Sequence, residues 1–306
     1  MKKFLKKLFS ITNEYNGDKK RKVIRLFFVK ITLPFSSPLT PEELIKKGLW
    51  KYEIQLETTS FCNAKCSFCP NSTLKRPKNF MTDEIFNLVI KRIKDEKLPI
   101  ERFILHLNGE PLTDKKIAQR IQILKIEFPQ SEVRFTTNLC LATSENLTDI
   151  INAGIDEITV SMNSIDPQEY KNIMDLDFSV TMSNLELLFR LKDKLNPNLK
   201  INISIVARPD NADMVEKFEK TWSNKAHIRV IKLGQWVNKE KYMNCEEKNN
   251  IIHQPCKILY KTINILSNGD YALCCFDAEG IVGKNIRDYS LMEAYNGEPF
   301  KRIRDF

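Results

Sequence analysis

Cys62, Cys66 and Cys69 lie in the run Cys-Asn-Ala-Lys-Cys-Ser-Phe-Cys-Pro, directly after a strand-like segment. Spacings of three and then two residues let one loop wrap a single centre, and soft sulfur ligands suit an iron–sulfur cluster or zinc. Three ligands leave a metal with an open position, as catalytic sites do, whereas a structural zinc knuckle calls for a fourth Cys or His nearby. The nearest downstream histidine, His106, falls on the next strand and reads as a packing residue. The eight cysteines cluster at 62–69 and 245–275, with Cys140 apart and reading as an ordinary buried thiol. The N-terminal residues lack an export-signal pattern, so a cytoplasmic chain with metal-ligating thiols is expected rather than a disulfide framework.

These thiols need a scaffold, and the alternation of apolar periods supplies one. Strands are expected at Trp50–Thr58, Arg102–Leu107, Glu132–Thr137, Glu157–Ser161, Lys200–Val206 and His227–Lys232. Helical patterns separate them at Asp83–Asp95, Lys115–Phe128, Glu145–Ala153, Val180–Leu195 and Ala212–Trp222. Six alternating units argue for an α/β fold with a parallel sheet or barrel. Chemistry in such folds sits at the carboxyl ends of the strands, where the cysteine loop falls. After Leu233 the pattern changes to a hairpin, Thr262–Leu266 and Tyr271–Cys275 around Asn268-Gly269, and a final helix. The expected division is a basic extension and linker at 1–48, a barrel at 49–235 and a cysteine-containing region at 236–306.

The cysteine loop, with Phe68 before its last cysteine, resembles the radical S-adenosylmethionine (radical SAM) superfamily. Asn108-Gly109-Glu110-Pro111 resembles that family's Gly-Gly-Glu motif, with Asn in the first position; Thr136-Thr137-Asn138 resembles its Thr-Asn-Gly signature, with Leu139 in place of Gly. Ser161-Met162-Asn163-Ser164 resembles its Ser-Leu-Asp-Gly segment, and Met174 stands where an arginine is common. The resemblance implies a partial six-stranded parallel (β/α)6 barrel. It also implies a [4Fe–4S] cluster on Cys62, Cys66 and Cys69, and a cofactor site built from Asn108, Gly109, Glu110, Thr136, Asn138, Ser161 and Asn163. The activity implied is reductive cleavage of S-adenosylmethionine to a 5′-deoxyadenosyl radical that abstracts hydrogen from a substrate, with flavodoxin or ferredoxin as electron donor. The substitutions at Asn108, Leu139 and Met174 leave a non-catalytic iron–sulfur binding protein as an alternative.

Cys256, Gly269-x4-Cys274, Cys275 and Asp277, with Asn285-Ile286 and the helix start Ser290–Tyr295, resemble the opening of a SPASM or twitch domain. This implies an auxiliary iron–sulfur cluster with Cys256 and Cys274 among its ligands, joined by Cys275 or Cys245. Adjacent Cys274 and Cys275 point oppositely in an extended segment. No cysteine follows Cys275, which leaves open a shortened sequence, an incompletely ligated cluster or a region that keeps only the fold.

Residues 1–30 hold ten Lys/Arg against Glu14 and Asp18, within a net charge of +9, so the remaining chain is close to neutral and no nucleic-acid face is expected on it. Met1–Ile11 has amphipathic helical spacing, giving either peripheral contact with an anionic membrane or a solvated basic tail. Lys22–Thr32 resembles a basic-apolar lead segment of proteins from bacterial surface-polysaccharide clusters. It ranks a sugar or glycan-precursor substrate above a peptide.

Overall fold

The computed structural model describes residues 9–16, 19–26, 29–32, 47, 50–233, 257–274 and 276–304. The chain divides into two compact units, Met1–Trp50 and Lys51–Phe306. In the first, β1 (Phe9–Asn16), β2 (Lys19–Leu26) and β3 (Val29–Thr32) form an antiparallel sheet. The helical spacing read over Met1–Ile11 thus gives way to a strand from Phe9, with residues 1–8 outside the described ones. β1 and β2 pair antiparallel from Phe9 opposite Leu26 to Asn16 opposite Lys19, and that pairing overrides the apolar spacing.

The second unit is built on an eight-stranded sheet ordered β11-β10-β4-β5-β6-β7-β8-β9. Six of its parallel strands follow one another along the chain: β4 (Tyr52–Leu56), β5 (Ile100–Ile104), β6 (Glu132–Thr137), β7 (Glu157–Ser161), β8 (Lys200–Ala207) and β9 (His227–Lys232). Between them lie α1 (Asp83–Asp95), α2 (Ile117–Glu127), α3 (Ser144–Asn152), α4 (Pro167–Met174), α5 (Phe178–Leu195) and α6 (Ala212–Trp222). Helix α4 is absent from the sequence reading, although Asp166 caps it and Pro167 opens it. Start signals recur elsewhere: Thr82 caps α1, and Thr143 with Asn146 forms a capping box on α3.

Each strand alternates. Ile54, Phe103, Val133, Phe135, Ile158, Val160, Ile203 and Ile205 are essentially fully buried and make the core. Glu53, Arg102, Arg134, Glu157, Thr159, Asn202 and Arg229 occupy the opposite, polar face. The pairings Glu53↔Arg102, Arg134↔Glu157 and Ser204↔Arg229 hold that face in register. A slip of one residue would move the isoleucines out and the charges in, so the core fixes where every polar residue sits.

The C-terminal hairpin joins this sheet, as the sequence did not foretell. β10 (Thr262–Ile265) lies parallel to β4, with Thr262 opposite Glu53, and β11 (Tyr271–Ala272) returns antiparallel. Ile263 and Ile265 are buried there, which closes an edge that β4 would otherwise expose. Gly269, at φ 90°, makes the turn between them. Three short helices, α7 (Lys257–Lys261), α8 (Leu291–Asn296) and α9 (Phe300–Arg304), complete the unit. Among the described residues, no helix is long and apolar enough to cross a membrane.

Candidate metal and cofactor site

The loop after β4 is held from two sides before any ligand is considered. Lys65 N–H donates to Met174 O at 3.0 Å and Ser67 N–H to Ile173 O at 2.9 Å, docking the loop on the last turn of α4. Glu110 N–H donates to Phe61 O at 2.8 Å, tying it to the turn after β5. A Cβ on Gly109 would lie 2.0 Å from Thr59 O, so only glycine lets that turn approach the loop. Asn71 Nδ2 bridges the same two segments, donating to Ser60 O at 2.9 Å and Asn108 O at 2.5 Å.

Cys62, Cys66 and Cys69 are half-buried free thiols on this loop. Burial raises the pKa of all three, Cys62 to about 11, and Cys66 is raised further by Cys69 and Cys62. Cys62 Sγ accepts from Ala64 N–H at 3.4 Å, the backbone-to-sulfur contact that tunes iron–sulfur centres. Among the described residues, no three Cys, His, Asp or Glu side chains are gathered at metal-ligating separations. The thiols share one loop anchored by its backbone hydrogen bonds. Their chemistry fits a cluster: three sulfurs, each costly to ionise alone and deprotonated outright on coordination, with one iron left open.

Glu110 is the other chemically marked residue. It is fully enclosed, and burial pushes its pKa up to about 7 against three donors that favour the carboxylate. Those donors are Thr137 Oγ1 at 2.6 Å and Leu112 N–H at 3.1 Å on one oxygen, with Asn138 N–H at 2.7 Å on the other. A carboxylate so placed is completed by a cationic group. Asn138 Nδ2 also donates to Asn63 Oδ1 at 2.9 Å, which joins the strand end to the cysteine loop. Leu139, the residue in place of Gly, adopts φ 63° with its side chain buried, a left-handed conformation that costs a non-glycine about 1 kcal/mol.

The remaining sequence-derived positions separate in role. Asn108 is 5% exposed, and neither Oδ1 nor Nδ2 has a partner among the described residues, the condition of a side chain awaiting a ligand. Thr136 and Ser161 are half-buried, and neither hydroxyl has a hydrogen-bond partner among the described residues. The threonine that reaches Glu110 is Thr137. Asn163, at φ 58°, turns inward to support the frame: Nδ2 donates to Met174 Sδ at 3.3 Å and Oδ1 accepts from Val206 N–H at 3.0 Å. Met174, which stands where an arginine is common, therefore packs against Asn163. Cys140 is half-buried rather than buried.

His106, set aside in the sequence reading, faces this region. Its Nδ1 accepts from Thr136 N–H at 3.0 Å, so Nε2 carries the proton of a neutral ring. Its enclosure, then Arg134 and Arg229, hold its pKa down at about 3. Only its place four residues on from Arg102, an even spacing in extended chain, could have signalled that it shares that residue's polar face.

Of the second cysteine group, Cys245, Cys256 and Cys275 lie outside the described residues. Cys274 Sγ accepts from Phe276 N–H at 3.4 Å. Asp277 shapes the turn, accepting from Leu273 N–H at 2.9 Å and from Gly280 and Ile281 N–H at 3.0 Å. This region is latched to the first loop by Glu57, which is fully buried. Its carboxylate takes Arg76 Nη2 at 2.6 Å, Ser267 Oγ at 2.8 Å and Ser267 N–H at 3.1 Å, while Arg76 Nε reaches Ala278 O at 2.6 Å.

Residues 56–221 match the radical SAM superfamily, and residues 256–306 match an iron–sulfur cluster-binding domain, SPASM. GTP 3′,8-cyclase of Campylobacter jejuni is 26% identical over 183 residues, 58% of this chain, and the match spans about half (54%) of that relative. An S-adenosyl-L-methionine-dependent 2-deoxy-scyllo-inosamine dehydrogenase of Niallia circulans is 25% identical over 40% of this chain and 49% of its own. In fold, the chain resembles Streptococcus suis SuiB bound to precursor peptide SuiA, with TM-score 0.66, 14% identity and coverage of 87% and 70% of the two chains. It also resembles anSMEcpe with bound AdoMet, with TM-score 0.63, 17% identity and coverage of 83% and 82%. The cofactors that go with these domains are a [4Fe–4S] cluster, S-adenosylmethionine and auxiliary iron–sulfur clusters. Loop, strand ends and matched span agree: the chain is an enzyme of the radical SAM superfamily with a SPASM-type C-terminal domain.

Proposed function

We propose that this enzyme abstracts hydrogen from a sugar or glycan-precursor substrate, using segments 49–235 for radical generation and 236–306 for auxiliary electron handling. The observation that carries the site assignment is Glu110, an enclosed carboxylate one βα unit from the cysteine loop and bonded through its own N–H to Phe61 O. Cys62, Cys66 and Cys69 hold the cluster, and Glu110 receives the ammonium of S-adenosylmethionine. Asn108, with its unpartnered carboxamide, Thr136 and Ser161, with their open hydroxyls, line the cofactor, while Gly109, Asn138 and Asn163 shape the backbone around it. The bound cluster supplies the electron for reductive cleavage of S-adenosylmethionine to the 5′-deoxyadenosyl radical; the protein orients the cofactor and excludes water. A flavodoxin- or ferredoxin-type donor returns that electron. Cys256 and Cys274 are among the ligands of the auxiliary cluster.

The glycan reading is supported by the lead segment Lys22–Thr32 and by the aminocyclitol dehydrogenase among the relatives. A peptide substrate is the second reading, favoured by the fold likeness to SuiB with its precursor peptide. Anaerobic purification and dithionite reduction test the core of the proposal. The reduced cluster's EPR signal changes on addition of S-adenosylmethionine, and 5′-deoxyadenosine forms. An unchanged signal without that product refutes the cofactor assignment. A colourless zinc protein refutes the cluster.

A further inference from the structure

The polar face of the sheet has two halves of unequal charge balance. Around β4–β6 and β10, cations and carboxylates match. Arg102 meets Glu53 and Glu132 at 2.7 Å and Glu101 at 3.8 Å, while Lys261 takes Glu101 at 2.7 Å and Lys200 takes Glu132 at 3.2 Å. Three carboxylates answer three cations. Around β6–β9, two arginines share one acid. Arg134 Nη1 and Arg229 Nη1 both donate to Glu157 Oε1, at long distances of 3.4 and 3.2 Å, and Arg229 Nη1 also reaches Thr159 Oγ1 at 3.3 Å. Among the described residues, Nε and Nη2 of both arginines have no acceptor.

A guanidinium cannot shed its proton, so this surplus charge is fixed. Arg134 is 18% exposed and Arg229 40%, so both present donors at the surface of this half. The neutral state of His106, driven in part by these two arginines, reports the same positive potential. Beside Arg229 and Glu157 opens a cavity of about 330 Å³ lined also by Lys200, Ile201, Asn202 and His227. Glu157 and Ser161 stand four residues apart on one strand face, about 13 Å along it.

We infer that Arg134 and Arg229 bind an anionic oxygen group of the substrate, a phosphate or a carboxylate. This rests on the proposed placement of S-adenosylmethionine at the strand ends. The anionic group then lies about 13 Å along β7 from Ser161 toward the strand's start, with the buried Thr159 between them. Two guanidiniums presented together match the planar, bidentate geometry of such groups. Glu157 aligns both arginines and is the anion that the substrate partly displaces.

Calorimetric titration of the cluster-reconstituted full chain with pyrophosphate, and separately with glutarate, tests this against chloride at matched ionic strength. At least one probe binds, and the tighter of the two assigns phosphate or carboxylate. Arg134→Gln and Arg229→Gln each weaken it at least tenfold, whereas Glu157→Gln strengthens it severalfold by removing the competing carboxylate. Affinity for S-adenosylmethionine and the cluster's absorbance stay unchanged in all three. Should a variant not fold, phenylglyoxal labelling of the wild type decides: the bound probe slows modification of Arg134 and Arg229 but not of the exposed Arg190. No binding beyond chloride, equal binding by the arginine variants, or unslowed labelling overturns the inference while leaving the cofactor reading intact. Anion binding by a wild type that takes up neither iron nor S-adenosylmethionine would instead refute that parent reading.

Discussion

The two cysteine regions of this chain hang from strands of one sheet, with β10 between them, yet are organised by opposite means. The triplet loop follows β4 directly, and backbone hydrogen bonds to Ile173, Met174 and the Glu110 turn hold it at the finishing end of the sheet. The second region follows β11, which runs antiparallel, so Cys274 is carried back toward the end at which β4 starts. Its placement depends on a long-range strand pairing and on Glu57, a buried carboxylate shared between Arg76 and Ser267. A loop that must present three ligands together is encoded within eight residues. The second region is placed by how the chain returns and by the bonds of Arg76 to Glu57 and Ala278.

The largest effect should come from the triplet itself. Replacing any one of Cys62, Cys66 or Cys69 with Ala is expected to remove the cluster's visible absorbance and bring 5′-deoxyadenosine formation to background. The fold should persist, because the loop's anchors are backbone bonds. Circular dichroism, iron analysis and product chromatography read these together, and an active single variant would break the assignment.

The latch is next. Glu57→Gln leaves the buried Arg76 guanidinium without its charge partner, which costs on the order of 3 kcal/mol. Denaturant unfolding should register that loss. Hydrogen exchange should quicken across Thr262–Ala272 more than across β6–β8. Uniform quickening would mean that Glu57 supports the whole sheet rather than the junction.

A tenfold effect is expected from pH. Glu110 has a folded pKa raised to about 7, so the empty site holds mostly the neutral acid at pH 6 and mostly the carboxylate at pH 8. Binding the ammonium of S-adenosylmethionine requires the carboxylate, so affinity should rise roughly tenfold between those values, with a proton released on binding at the lower one. Glu110→Gln should flatten the profile at weak affinity. The linkage to stability has the opposite sign. A carboxyl whose folded pKa exceeds its unfolded value favours the empty fold below about 4.5, and that contribution fades as pH rises through about 7.

The smallest effect sharpens the contrast between the regions. Cys274→Ser should lower iron content partially and leave the S-adenosylmethionine-induced EPR change intact. Loss of that change would mean that the two regions are not separable.

Much of the frame was legible in the chain alone. The bounds of α1, α6, β6, β7 and β9 follow directly from apolar period and cap residues, because amphipathic segments of that length leave one solution for what faces inward. Helix α4 escaped because its eight residues are too few for a periodic signal, even with Asp166 and Pro167 at its start. The strand from Phe9 was hidden beneath an apolar spacing over Met1–Ile11 that suits a helix equally well.

The sequence by itself determined the cysteine spacing, the acid at Glu110 and the order of strands that carries them, since each depends on neighbours along the chain. Tertiary structure decided the rest: that Thr137 rather than Thr136 meets Glu110, that β10 seals the edge of β4, and that Arg134 and Arg229 share one carboxylate. Those facts turn on which residues of different strands stand opposite one another. Register is set by packing of the whole apolar core, and no local stretch of sequence contains it.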